Sequence, residues 1–558
     1  MTAELDRWLA PIAAAAAAVQ ERLEAERVVE RIWQRDHTVW PGGPQEVSDR
    51  LGWLDVAASM RQHLPQITQL VDGARRDGFR RAVVLGMGGS SLAPEVCAKV
   101  FGVRSSGLDV AVLDSTSPAA VADVEAASPA DHTLFVVATK SGDTVETLSF
   151  AKYFYGRRPS GSNFVAVTDP GSGLADLAAE LAFRETFLND PEIGGRYSAL
   201  SLFGLVPAAL LGLSPAELLD AAEEAAAASR SANSVAAHMG GILGAAASTG
   251  RDKLMLVASP AAAPMVAWVE QLVAESTGKQ GRGILPVAQP LYSAVALASG
   301  GSDRLYVLLD REASQLAPEL SALGHPVVDL AEALADLQEP PGLAEHFFVW
   351  ELAVAVAGHV LAINPFDQPN VESTKVLATE AVAAYQDTGV LPSSSPSGGD
   401  ATATVYGGPP DASPNAALQH LLRSGGDGRY VGIQAFLSPD PELSAALENL
   451  AGAITAATGM VATHGYGPRF LHSTGQLHKG DGGGGLFLQL SAAGGEDLAI
   501  PDQPGGSEGR LTFGVLLQAQ VQGDGEALRA AGRSVLRLDL QQQPVAAIQA
   551  LTASIATT

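Results

Sequence analysis

The sequence holds 558 residues, 61 acidic and 35 basic, for a formal net charge of −26. With 47% apolar and 17% charged residues it can bury large cores and is not disordered, and its length suggests roughly two to four domains. The acidic balance argues against a nucleic-acid coat or a membrane-surface binder, which need clustered Lys and Arg, while the single cysteine, Cys97, rules out an intrachain disulfide and a cysteine-built metal cluster and fits a reducing cytoplasm.

In chain order, residues 3–31 read as Ala-rich helix with a break or fresh start at Pro11. Glu4 and Asp6 ahead of the apolar run have the wrong sign for a signal peptide, and the Ala run 13–18 is too short to span a bilayer. From residue 81 short apolar runs (81–86, 108–113, 132–138, 163–167) alternate with segments of helical spacing such as 92–101 and 144–155. Strand, loop and helix in repetition predict a doubly wound α/β sheet. A second unit begins near Lys253, with strands at 253–257, 304–309 and 326–330, a helix over 264–274 and a long helical pattern over 343–363. Residues 388–415 are rich in Pro, Gly and Ser and read as a linker or long loop. Beyond it, strands at 430–437, 486–490 and 534–538 and a helix at 442–458 make a third α/β unit. The expected division is 1–235, 236–387, the linker 388–415, and 416–558.

Candidate chemistry sits in the loops. Gly86-Met87-Gly88-Gly89-Ser90-Ser91 follows a strand and opens a helix, where free N–H groups attract anions. It begins as a dinucleotide loop does, but Ser91 stands where a Gly or Ala is expected, and Asp114 comes late for a ribose-binding acid. Adjacent hydroxyls suit a terminal phosphate better; a plain glycine-rich turn is the other reading. Thr139-Lys140-Ser141-Gly142-Asp143-Thr144 occupies the equivalent place after another strand, and is either a second phosphate loop or a simple helix cap. Loops at the carboxyl ends of parallel strands face one crevice, so together they predict a phosphate-monoester pocket.

Only seven lysines occur, and Lys140, Lys279, Lys375 and Lys479 lie in Gly/Ser/Thr-rich turns. Arg196, after Gly194-Gly195, is a fixed positive charge for a phosphate or a developing oxyanion, or else a structural ion-pair partner. Glu275, where a helical pattern gives way to Ser-Thr-Gly-Lys, is expected to be partly buried with a raised pKa suited to proton abstraction, against the ordinary reading of a solvated Glu near a helix end. Gln368 and Lys375 share a face if one helix holds both. No histidine pair has metal-ligand spacing, so neither a metal nor a redox cofactor is expected.

Taken together, the Gly86–Ser91 and Thr139–Thr144 loops, Gly-Gly-Arg-Tyr-Ser, Glu-Ser-Thr-Gly-Lys and Asn-Pro-Phe-Asp-Gln-Pro-Asn-Val-Glu resemble the phosphoglucose isomerase family, in the family's order, across residues 81–375. Residues 271–286 and 467–480 resemble the isomerase half of bifunctional transaldolase–phosphoglucose isomerases; no added transaldolase barrel is expected upstream, for want of room. The resemblance implies that the first two α/β units are SIS (sugar isomerase) domains, ahead of the C-terminal α/β unit read from the pattern. It also implies interconversion of glucose 6-phosphate and fructose 6-phosphate through a cis-enediolate. By motif, Ser90, Thr139, Lys140, Ser141 and Thr144 would hold the substrate phosphate. Glu275 would be the base, Arg196 would stabilise the intermediate's charge, Gly89 and Gln368 would line the pocket, and Lys375 would assist at the ring oxygen.

In one respect the chain departs from the family. The family's ring-opening histidine falls between the base and the Gln…Lys segment, but here that interval offers only His325, His346 and His359, none in a recognisable motif. A Gly-Gln-Leu-His-Lys-Gly-Asp-Gly run after Lys375 resembles the histidine segment, and its His478, with His472 six residues earlier, is the expected donor, to its own chain's site or to a neighbouring subunit's; ring opening by Lys375 and water is the alternative. The predicted partners are a phosphosugar and, from the resemblance, a second copy in a homodimer, with no nucleic acid or membrane. Added phosphomannose activity, a non-catalytic sugar-phosphate sensor and a nucleotide-binding oxidoreductase are the rivals. Retention of both Arg196 and Glu275 argues against the sensor, and the first loop against the oxidoreductase.

Overall fold

Strand β1 (Arg81–Gly86) consists almost wholly of small and branched apolar residues and is buried along nearly its whole length, as a strand covered on both faces must be. The same composition makes β3 (Thr133–Ala138) and β4 (Phe164–Thr168) buried throughout. With β2 (Asp109–Leu113) and β5 (Glu185–Leu188) they form a five-stranded parallel sheet in the order β2-β1-β3-β4-β5. The computed structural model describes residues 2–104, 107–290, 301–392, 394–492, 495–541 and 543–556.

A second parallel sheet has the order β7-β6-β8-β9, from β6 (Lys253–Ala258), β7 (Leu285–Pro290), β8 (Arg304–Leu308) and β9 (Val327–Asp329). The sequence pattern omits β5 and β7. β5 reads Glu-Thr-Phe-Leu, half polar, because it lies at the sheet's edge. β7 carries Pro286 and Pro290, which an edge strand tolerates because one side of it has no ladder to feed.

The stretch read as a linker does more than connect. It contributes β10 (Gly398–Gly399) and β11 (Ala403–Tyr406), and β11 pairs antiparallel with β17 (Ser534–Leu540). Ala403 and Val405 are buried, and that alternation supplies one sheet face. Between β11 and β17 in sequence lie β12 (Tyr430–Phe436), β13 (Val461–Tyr466), β14 (Gly485–Ala492) and the short antiparallel pair β15 (Ala499–Ile500) and β16 (Leu511–Thr512). The third sheet runs β10-β11-β17-β14-β12-β13, with β17, β14, β12 and β13 parallel.

At the N-terminus lie three helices, Thr2–Asp6, Ala13–Ala25 and Val28–Trp33: the expected break falls around Pro11, and a second comes before Val28. The helix Pro340–Val360 is long and apolar enough to cross a membrane, but 89% of its most apolar window is buried inside the protein, where it packs with Val235–Ser248 and Ala263–Thr277.

The third unit shares the cores of the other two. Ile500, Phe513 and Leu516 join the cluster on one face of the first sheet, with Phe513 against Phe150 and Tyr153 at ring distances of 5.8 and 5.5 Å. Tyr430, Leu477 and Phe487 join the cluster of the second sheet. This shared burial fixes segments of the third unit against the first crevice.

Candidate active site

The first sheet sets the site. β1 lies between β2 and β3, so the chain leaves it in one direction and returns on the other side, creating a crevice at the carboxyl ends of β1 and β3. Gly86 is in register with Ala138, so the loops that follow these strands emerge side by side. Gly88 has a φ of +55°, a value suited to glycine. Gly89 is required by close approach: a Cβ there would sit 1.9 Å from the carbonyl oxygen of Gly195. The loop bearing Arg196 is thereby pressed against the loop bearing Ser90.

A cavity of about 560 Å³ opens at this point. Ser90, Thr139, Lys140, Ser141 and Thr144 line it on one side, and Gly89, Arg196, Glu275, Gln368 and Lys375 also reach it. Ten of the eleven residues expected from sequence therefore converge. The hydroxyls of Thr139 and Thr144 lie 2.8 Å apart, and Ser141 Oγ donates to Asp143. Lys140 Nζ is held by Asp169 and by the carbonyl of Pro191 at 2.9 Å, which fixes the cation beside the hydroxyls. Burial pushes the Asp169 carboxyl up, against the pull of Lys140.

Arg196 is 5% exposed and gripped on every side. Its Nη2 donates to the carbonyls of Pro365, Phe366 and Asp367 at 2.9–3.2 Å, its Nε to Ser276 Oγ at 3.1 Å, and its Nη1 to Gln368 Oε1 at 2.6 Å. Nη1 also stands 2.8 Å from Glu275 Oε1. Glu275 lies near the end of the helix Ala263–Thr277, where the sequence from Gln271 onward is buried on all faces rather than half solvated. Gln271, one turn earlier, donates its Nε2 to Glu275 Oε2 at 3.1 Å and to the carbonyl of His472 at 2.8 Å. The sequence reading passes over Gln271, although its spacing of four from Glu275 on one helix is a usable signal.

Lys375 and Gln368 do not share a helix, because the helix starts at Val371. Lys375 stands at the rim, half exposed, with its Nζ 3.0 Å from Glu372. Lys279 does not line the cavity: it is wholly buried and holds Asp367 at 2.7 Å, behind Arg196. Burial and the Arg196 charge lower its ammonium to about 8.

The two histidines of the later run are placed differently. His478 lies outside the cavity, 3% exposed, on the short helix Gly475–Gly480. Its ring is enclosed by Phe487, Phe470 and Tyr430 at 4.8, 6.0 and 6.3 Å, and its Nδ1 meets Gln434 Nε2 at 3.2 Å. Burial, followed by the charges of Lys479 and Arg533, drives its pKa well below the ordinary value, so it remains neutral. His472, ending the 3₁₀ turn Arg469–His472, reaches the cavity instead. Its Nε2 lies 3.0 Å from Glu146 Oε1, and Glu146 opens the helix Val145–Arg157 directly after the second loop. Burial would raise the Glu146 carboxyl, but the charge and hydrogen bond of His472 prevail and hold it below its usual value. Glu146 does not line the cavity but holds His472, which does; its place in the first turn of the helix after a hydroxyl-rich loop is the local cue in the sequence.

The turn that carries His472 is tied to the first unit by charge. Arg469 pairs with Glu95 and lies 3.2 Å from Asp114, both beside the first loop's helix or the end of β2.

Two parallel α/β sheets with a hydroxyl-lined crevice, a buried carboxylate and a paired guanidinium fit the class of SIS-type sugar-phosphate isomerases. A phosphoglucose isomerase family model matches residues 26–282. The glucose-6-phosphate isomerase of Carboxydothermus hydrogenoformans is 31% identical over 389 residues, 56% of this chain and 82% of the relative. That of Rubrobacter xylanophilus is 27% identical over 377 residues, 56% of this chain and 85% of the relative. Among solved structures, a hypothetical protein from Thermus thermophilus superposes with a TM-score of 0.59 at 23% identity, covering 68% of this chain and 98% of that one. A glucose-6-phosphate isomerase from Chlamydia trachomatis gives a TM-score of 0.58 at 19% identity, over 67% and 86% of the two chains. The chain belongs to the phosphoglucose isomerase family. It is an aldose–ketose isomerase, interconverting glucose 6-phosphate and fructose 6-phosphate.

Proposed function

We propose that the 560 Å³ cavity is where this isomerisation occurs, with Glu275 as the base. The observation that carries the reading is the shared wall: Glu275, 2.8 Å from Arg196, faces the same space as Ser90 and Thr144. The two loops hold the phosphate through Ser90, Thr139, Ser141, Thr144 and the cation of Lys140. Glu275 takes the proton from C2 of the open-chain aldose and returns it at C1. Arg196, already oriented by three carbonyls, meets the negative charge of the enediolate, which is larger than that of the ground state.

His472 opens the ring. Its Nε2 is occupied by Glu146, which leaves Nδ1 to act on the sugar: the C1–O5 bond breaks as O5 takes a proton from the imidazolium, the C1 hydroxyl gives its proton back to Nδ1 as the carbonyl forms, and Glu146 stabilises the charged ring. Lys375, at the rim, adds positive charge near the sugar. Because His472 belongs to the same chain as Glu275, one copy holds a whole site. A cytoplasmic homodimer, expected from the single cysteine and the resemblance, would then contain two independent sites.

The test is a coupled assay with fructose 6-phosphate on wild type and Glu275→Gln. Turnover in the first and a loss of at least about a hundredfold in the second are expected, the scale of a general base. Full activity in Glu275→Gln removes this mechanism.

A further inference from the structure

The dyad of His472 and Glu146 has a third member on a distant segment. Gln520 lies in the middle of the helix Phe513–Ala530 of the third unit and is 3% exposed. Its Nε2 donates to Glu146 Oε1 at 2.7 Å, the same oxygen that His472 Nε2 meets at 3.0 Å. Its Oε1 accepts from Thr116 Oγ1 at 2.8 Å, and Thr116 is wholly buried in the loop after β2. An ionised carboxylate only accepts, so the amide must turn its NH₂ group to Glu146 and its carbonyl to the hydroxyl. The pair Thr116 and Glu146 thus fixes one orientation of the side chain.

The supporting helix is itself fixed. Thr512 caps it by accepting from Val515 N at 3.2 Å, and Phe513 packs on Phe150 and Tyr153. At Gly523 it approaches the helix Val371–Thr388 so closely that a Cβ would lie 2.9 Å from the Ala378 nitrogen. Gln520 therefore presents a rigid neutral donor to the carboxylate, where a charged donor would compete with His472.

We propose that Gln520 is a positioning residue for ring opening: its amide holds Glu146 where the carboxylate can orient His472 and stabilise its charged form. This rests on the role given to His472 above. Gln520 touches no substrate and acts only through Glu146.

The experiment uses the full-length protein with fructose 6-phosphate. Gln520→Met keeps the side-chain length and removes both hydrogen bonds. A hydrogen bond to a charged group is worth about 1.5–3 kcal/mol, so kcat should fall roughly tenfold or more, with KM changing less than about twofold. The charged groups acting on Glu146 are His472 and Lys375. With the amide donor gone and these unchanged, Glu146 binds a proton more readily, and the acid limb of the kcat profile moves to higher pH. In a Glu146→Gln background the same change should cost less than about twofold, because a residue acting through Glu146 has nothing left to act through. Thr116→Val, which frees the amide to turn, should give a smaller loss in the same direction, and it decides the matter if Gln520→Met does not fold. A folded Gln520→Met enzyme with wild-type kcat and pH profile overturns the proposal, as does an undiminished loss in the Glu146→Gln background. If Glu146→Gln and His472→Ala themselves keep wild-type turnover, it is the underlying reading of the dyad that fails.

Discussion

Ser90 and Thr144 reach the cavity from loops that follow neighbouring strands of one sheet, whereas His472 reaches it from a unit whose own sheet begins beyond residue 397. For the first pair, topology alone guarantees the meeting, since parallel strands in register must present their following loops together. For the histidine the meeting depends on an interface, and specific contacts maintain it: the Arg469 ion pairs, the Gln271 bond to the His472 carbonyl and the shared clusters around Phe513 and Tyr430. A site assembled across an interface is more exposed to damage far from the chemistry than one assembled within a sheet.

The sharpest way to break this contrast is to exchange the two candidate histidines. His472→Ala should lower turnover of the cyclic sugar by about a hundredfold or more, and turnover of any open-chain form by much less, while His478→Asn should stay within about twofold of wild type on both. Equal losses in the two variants, read by the same coupled assay, would return the role to His478.

The interface is probed next by Arg469→Met. Glu95 and Asp114 are mostly buried; without Arg469, Glu95 keeps Lys99 at 2.7 Å, but Asp114 loses its close cation and faces that carboxylate, and a loss of about 3 kcal/mol in urea unfolding is expected. Turnover should fall with it, because the His472 turn loses its anchor. If stability drops while kcat holds, the anchor serves the fold alone.

The smallest effect concerns Glu270, which lines a cavity of about 510 Å³ on the Arg469 side of the same interface. Burial, opposed by Arg469, pushes its carboxyl up to about 7. A folded-state value above the unfolded one gives a contribution fully present below about pH 4.5 and lost as pH rises through 7. Glu270→Gln abolishes that loss, so its melting temperature should gain on wild type between about pH 5 and 8 and show no such gain at lower pH. A constant difference across that range would place the proton elsewhere.

Much of the first unit was legible in the residues. Its buried strands are near-continuous apolar runs, and its loops carry hydroxyls and glycines between strand and helix, so both position and chemistry show in sequence. β5 and β7 escaped because edge strands carry polar residues and prolines that look like loop. β11 was hidden in a Pro/Gly/Ser-rich stretch, its only mark the alternation of Ala403 and Val405. The choice between His472 and His478 was illegible for a different reason. Six residues apart in one glycine-bearing run, they are separated only by how a 3₁₀ turn and a short helix direct their side chains, one to the first crevice and one into an aromatic box. Glu146 and Gln520 belong to the same class, since their meaning lies in what faces them across the interface.

The supply of His472 and Glu275 by a single polypeptide has an evolutionary corollary. Under the proposed site that pairing asks nothing of a second copy, so substitutions that strengthen, weaken or abolish self-association would be free to drift without passing through an inactive intermediate. Selection on the proposed constellation would fall instead on the internal seam around Arg469, Gln271 and Gln520, whose contacts hold it together.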